Sequence, residues 1–183
     1  MPTDTARRGA AQGRRIVAAA LTAAPVIAGV LAAALASRST SQALSLLGLP
    51  DPGLLTTLGI PALTAAGEVC AAIAVGSLLL SAFVLPPQQA GVLDLDGYLA
   101  VRTAAAAMSA WAVCAVLLVP LTLSDASGRP VSEVAAQPAL FAAAVADVDT
   151  ASAWAATAVL AAVVAVFCRS ALTHACLLYT SPS

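Results

Sequence analysis

Four apolar runs, each about as long as a membrane-spanning helix, dominate this sequence. They cover residues 16–36, 61–85, 103–123 and 151–168, and the second run contains one acid, Glu68. The hydrocarbon core of a bilayer is about 30 Å thick, so a helix rising about 1.5 Å per residue crosses it in about 20 residues. The runs predict an all-α polytopic integral membrane protein, in which four transmembrane helices pack through Ala and Gly contacts beside short external interfacial helices.

The composition excludes several other classes of protein. Hydrophobic residues make up 61% of the chain and charged residues 9%, whereas soluble domains average about 45–50% and about 25%. A net charge of −1 cannot supply the basic surface that binds nucleic acid. Four cysteines are too few and too scattered for a disulfide framework, and one histidine, His174, excludes a cage of several imidazoles. The sequence shows no nucleophile–base pair and no phosphate-binding loop, so we expect no enzyme.

Prolines and short apolar pieces set the expected boundaries. Pro61 fits the first turn of a helix, where its missing N–H costs nothing, and Pro86-Pro87 should end the same helix. Segment 41–59 contains two short apolar pieces, 43–47 and 54–58, separated by a turn at 49–53, and segment 134–148 is an apolar run of 15 residues. All are too short to cross a bilayer, so we expect both segments to be interfacial or re-entrant, with Pro138 beginning a helix. This divides the chain into an N-terminal tail (residues 1–15), a four-span region (16–172) and a C-terminal tail (173–183).

The arginines predict how the bundle is oriented. All eight basic residues are arginines, and short cytoplasmic loops carry the excess of basic residues. With four spans, six arginines fall on the side of the N-terminus, and only Arg38 and Arg129 fall on the other. We therefore expect a multi-pass protein of a bacterial plasma membrane with a cytoplasmic N-terminus. Alternatively, the first run is a signal peptide cleaved after Ala34-Leu35-Ala36, although its apolar core is longer than the usual 7–15 residues.

Glu68 is the only acid inside a predicted span. A charged side chain at the centre of a bilayer costs about 2.5–3.5 kcal/mol even on the lenient insertion scale. We therefore expect Glu68 to face neighbouring helices, where it stays protonated or finds a partner. Two interpretations stay open: a carboxyl on a path for cations or protons, and a hydrogen-bonded packing residue.

Two cysteines suggest a site for a soft metal ion. Cys70 lies nine residues in from Pro61, and Cys114 lies nine residues in from Leu123, so the two occupy matching depths on adjacent antiparallel helices. Cysteine and methionine sulfur selects Cu(I). If the two faces meet, Cys70 and Cys114 could pass a transient Cu(I) ion, with Glu68 above and Met108 below. The alternative is that both cysteines are small buried hydrophobic residues, because periodicity does not show whether the faces converge.

Three loop segments between the apolar runs carry a family resemblance. They are Leu49-Pro50-Asp51-Pro52-Gly53-Leu54-Leu55-Thr56-Thr57-Leu58-Gly59, Gly91-Val92-Leu93-Asp94-Leu95-Asp96-Gly97-Tyr98 and Leu121-Thr122-Leu123-Ser124-Asp125-Ala126-Ser127-Gly128-Arg129-Pro130. Over residues 16–172 the chain resembles the N-terminal part of actinobacterial membrane proteins that fuse a copper resistance protein D-like region to a cytochrome c oxidase assembly factor region. The resemblance implies a plasma-membrane protein that takes up copper or delivers it to a respiratory oxidase.

The chain is shorter than members of that family, which continue through further spans. Residues 176–183 depart from the Ala/Val-rich composition of the preceding runs, so we interpret the C-terminal tail as truncated and non-native. The expected partners are the lipid bilayer, a copper ion, and an oxidase or the missing C-terminal half. A second function stays open: a non-transporting scaffold or accessory subunit that binds partner helices, in which Glu68 and the cysteines only pack.

Overall fold

The fold is an all-α polytopic membrane bundle. The structure, a computed structural model, describes residues 4–47, 53–84, 95–136 and 138–179. Its helices, in chain order, are α1 (Asp4–Leu47), α2 (Leu54–Leu79), α3 (Leu95–Ser127), α4 (Val131–Ala135), α5 (Pro138–Asp147) and α6 (Asp149–Tyr179). A π-helical segment, Leu80–Val84, continues α2.

Four of these helices are long and apolar enough to cross a bilayer. Their spans are Arg15–Ser37, Leu54–Phe83, Gly97–Ser127 and Asp149–Ala171. The four predicted runs are therefore confirmed as helices, although all four spans are longer than expected. The limits drawn at residues 15 and 172 fall inside α1 and α6, and α1 also runs through the Ala34-Leu35-Ala36 segment. The expected helix end at Pro86-Pro87 lies outside the described residues.

The start of α2 corrects the expectation for Pro61. The helix begins at Leu54, so Pro61 lies in its interior and residues 54–58 are its first turns. Gly53 has a φ of 96°, a conformation that glycine adopts readily. The backbone N–H groups of Thr56 and Thr57 each donate to the carbonyl oxygen of Gly53 at 3.1 Å. Membrane helices tolerate an interior proline, because neighbouring groups satisfy the freed backbone carbonyl.

The helices pack as neighbours in the order α1, α2, α3 and α6. Contact is close because the facing residues are small: a side chain added at Gly29 of α1 would lie 3.0 Å from the carbonyl oxygen of Ala62 on α2. Alanines also fill much of the core of α3 and α6, including Ala104, Ala115 and Ala161. The expected Ala and Gly packing is thus confirmed, and it suits a membrane, where association depends on close backbone approach.

The connection between α3 and α6 stays on one side of the bundle. α3 continues to Ser127, so Ser124 and Asp125 are helical, and the chain reverses at Gly128, with a φ of 63°. α5 begins at Pro138 as expected, and its 10 residues are too few to cross. Phe141 of α5 packs into a cluster with Val119 and Leu123 of α3 and Ala151 of α6. The C-terminal end of α3 and the N-terminal end of α6 therefore lie on the same side of the bundle.

Candidate functional site: a two-thiol cavity between α1, α2 and α3

A cavity of about 400 Å³ lies between α1, α2 and α3. Most of its wall consists of alanine and aliphatic side chains, with Cys70 contributed by α2 and Cys114 by α3. Both are free thiols; Cys70 is buried and Cys114 half-buried. We call this the two-thiol cavity. The structure therefore brings together the two cysteines that the sequence placed at matching depth.

The close approach of α2 and α3 positions the two thiols. Gly67 lies one turn before Cys70 on α2, and a Cβ added at Gly67 would lie 3.2 Å from Trp111 Cδ1 and 3.6 Å from Cys114 Cβ. The absent side chain at Gly67 thus leaves room for α3 at this level. Because Cys70 shares the same helix face as Gly67, both sulfur-bearing side chains reach the same cavity.

The α1 side of the cavity contains a proline turn. Leu21 and Pro25 both line the cavity, and Pro25 has no N–H to donate to the carbonyl oxygen of Leu21. The hydroxyl of Thr22 donates to the carbonyl oxygen of Ala19 at 3.0 Å, and that of Thr103 donates to Leu99 at 2.8 Å. Both hydroxyls are therefore occupied within their own helices, which leaves the thiols as the polarisable groups of the wall.

The structure does not bring Glu68 and Met108 to the two thiols. Glu68 is exposed on the surface of α2, contrary to the expectation that it faces neighbouring helices. It precedes Cys70 by two residues, which is about 200° of helix rotation, so it lies on the opposite side of α2. Met108 is buried in a cluster with Ala74 and Ala165, between α2, α3 and α6. Neither side chain lines the two-thiol cavity.

The donor set limits which ion such a site would suit. Within the described parts of the chain, no group of three or more His, Cys, Asp or Glu side chains is placed to hold a metal ion. A structural zinc site takes four such ligands. Two thiols without further ligands of this kind instead suit a soft monovalent ion such as Cu(I). Cys168 is buried on α6 and does not line the two-thiol cavity.

Sequence reasoning missed a buried pair of hydroxyls that joins the N-terminal end of α2 to the C-terminal end of α3. Thr56 Oγ1 lies 2.9 Å from Ser124 Oγ, and both residues are fully buried. The Ser124 hydroxyl also donates to the carbonyl oxygen of Arg129 at 2.6 Å. No local pattern marks such a pair, since its members are 68 positions apart. It is one contact of the antiparallel packing of α2 and α3 that also sets the two cysteines at one level.

Fold and spans together define a multi-pass membrane protein. Comparisons of the chain with protein-family models, curated proteins and solved structures find no match.

Proposed function

We propose that this protein handles copper in the plasma membrane of a bacterium, by uptake or by delivery linked to the assembly of cytochrome c oxidase. Cys70 and Cys114 are the proposed ligands of a Cu(I) ion in transit. The observation that carries the proposal is that thiols from two different helices line one cavity inside the membrane-spanning region. The resemblance of the loop segments to copper-handling membrane proteins supports the same function.

The charge of the complex suits the membrane interior. A thiol must lose its proton to bind a metal strongly. If one of the two thiols is deprotonated, Cu(I) and the two sulfurs form a neutral complex, which avoids the large cost of a net charge at this depth. The apolar wall of the cavity then excludes water from the ion. A small, soft ligand set of this kind is suited to passing an ion on.

Cu(I) binding by the purified full chain in detergent tests the proposal. We expect one Cu(I) per chain, measured by competition with a chromophoric Cu(I) chelator. Even outer-shell changes at metal sites cost about 10- to 100-fold in affinity, so the Cys70→Ser, Cys114→Ser double variant should bind more than about a hundredfold more weakly. Cys168→Ser removes a buried thiol outside the cavity and should bind as the wild type does.

Equal Cu(I) affinity in the double variant and the wild type would contradict the assignment of these ligands. In cells, deletion of the gene should lower copper accumulation and oxidase activity, and the wild-type gene, but not the double variant, should restore both. Normal copper accumulation and oxidase activity in the deletion strain would contradict the copper function and favour the scaffold alternative.

The proposed orientation places the N-terminus in the cytoplasm. Arg7, Arg8 and Arg14 precede the first span and Arg15 begins it, and the connection between α3 and α6 lies on the opposite side of the bundle. A phosphatase reporter fused after Ser127 should be active, because it is carried to the external side, whereas a fusion after Arg102 should be inactive. The reverse pattern of activities would invert the topology.

A further inference from the structure

Glu68 occupies the middle of a membrane span and is exposed on its surface. The span runs over the 30 residues Leu54–Phe83, with Glu68 midway along it. None of the described residues forms a hydrogen bond or an ion pair with its carboxylate. In a bilayer an exposed side chain at this position contacts lipid, where an unpaired carboxylate is costly. The isolated chain therefore leaves a strongly polar group without a partner at mid-depth.

The exposed surface around Glu68 is open enough to admit another helix. We call the residues Glu68, Ala72, Val75, Gly76 and Leu79 the Glu68 face; all are exposed and recur at helical spacing on α2. A Cβ added at Gly76 would have nothing within 4 Å. Small residues such as Ala72 and Gly76 let a second backbone approach closely. The carboxylate of Glu68 restricts the partner to a surface that carries an opposite charge.

A cation lies on the other side of the bundle. Arg169 of α6 is exposed, and its Nη2 donates to Ser109 Oγ of α3 at 3.1 Å. The hydroxyl of Ser109 itself donates to the carbonyl oxygen of Ala105 at 2.7 Å. A neutral hydroxyl leaves the charge of the guanidinium unbalanced and most of its five donors unused.

Arg169 lies two residues from the end of its span, and its guanidinium reaches inward toward the depth of Glu68. Gly67, next to Glu68, is level with Trp111 and Cys114 of α3, and Ser109 marks the level of the Arg169 guanidinium. Ser109 precedes those two residues by two and five positions, which is about 3–8 Å along the helix axis. Long side chains cover such a difference. Copies of one chain inserted with the same topology keep these depths, so the carboxylate of one copy lies within reach of the guanidinium of the next.

We propose that this chain associates with itself in the membrane, with the Glu68 face of one copy against the α6 edge that carries Arg169 on a second copy. The pairing gives each charge an opposite charge, and an arginine–carboxylate pair can form two parallel hydrogen bonds. The two contacting surfaces differ, so the interface is heterologous. It closes into a ring if the rotation between copies permits, and otherwise continues as a row.

Charge variants of the full chain, with self-association measured by energy transfer between labelled copies in lipid vesicles, test this proposal. Glu68→Gln should weaken association about tenfold to a hundredfold, as expected for the loss of one charge-assisted hydrogen bond. Glu68→Arg and Arg169→Glu should each abolish it when reconstituted alone. The double variant Glu68→Arg, Arg169→Glu should associate again, and so should an equal mixture of the two single variants.

Circular dichroism and proteolysis of each variant distinguish lost association from lost folding, and the rescue in the double variant and in the mixture requires folded chains. Association of Arg169→Glu alone at the wild-type level would overturn the proposal, because it indicates a symmetric contact between two Glu68 faces. A monomeric wild type, or a double variant as weak as the single variants, would overturn it as well. Copper binding is measured separately, so either proposal can fail without the other.

Discussion

Replacing Gly67 with leucine is expected to separate α2 from α3 and to lower the free energy of unfolding by about 3 kcal/mol, the upper part of the range for overpacking a tight core. A Cβ alone at this position would already lie 3.2 Å from Trp111 Cδ1 and 3.5 Å from its Nε1. The isobutyl group of leucine extends further into the same space. Unfolding in mixed detergent–SDS micelles, followed by tryptophan fluorescence, measures the loss.

Gly76→Leu is the matched control for that experiment. Gly76 lies on the same helix, but a Cβ added there would meet nothing within 4 Å. At a dilution at which the chain is monomeric, we expect unchanged or slightly higher stability, because leucine favours a helix over glycine by somewhat less than about 1 kcal/mol. If Gly67→Leu and Gly76→Leu have the same free energy of unfolding, the close contact between Gly67 and Trp111 does not stabilise the packing of α2 against α3.

Truncation of Leu118 to alanine should give the second large loss of stability. Leu118 is 1% exposed and is among the largest fully buried side chains of the described residues. Leu→Ala substitutions in soluble cores cost about 2–5 kcal/mol. Lipid is as apolar as leucine, so here the cost comes from lost packing contacts rather than from water exclusion. We therefore expect about 2 kcal/mol, the lower end of the soluble range.

The neighbouring Leu117 provides the control for this truncation. Leu117 is 47% exposed, so its truncation removes contacts with lipid and creates no internal void. We expect Leu117→Ala to change the free energy of unfolding by less than about 0.5 kcal/mol, as for surface substitutions. Equal losses for Leu117→Ala and Leu118→Ala in the same SDS titration would show that α3 is oriented differently in the bundle.

Part of the candidate site could be predicted from the sequence. Counting from the ends of the predicted runs placed Cys70 and Cys114 at matching depth, because helix rise converts residue number directly into depth. The same counting could not show that both side chains face one cavity. In a soluble helix an apolar stripe marks the buried face, but a membrane helix is apolar all round, so no periodicity separates the lipid side from the protein side.

The expectation for Glu68 was wrong for the same reason. Its cost in lipid suggested that it faces neighbouring helices, yet Gly67 and Cys70 point that side of α2 toward α3, which leaves Glu68 outside. The position of Pro61 was mispredicted because proline in soluble helices is most common in the first turn. The sequence alone did not reveal that the helix begins at Leu54, seven residues before Pro61.

The sequence by itself determined the class of this protein and the number of its spans, and it placed Cys70 and Cys114 at similar depth. These follow from hydrophobic length and from the cost of charge in lipid, which act on each segment separately. Only the tertiary structure decided which way each residue faces: Cys70 and Cys114 into one cavity, Glu68 away from it, and Met108 into the core. The direction in which a side chain points depends on how small residues pack between helices, and that packing exists only in the assembled bundle.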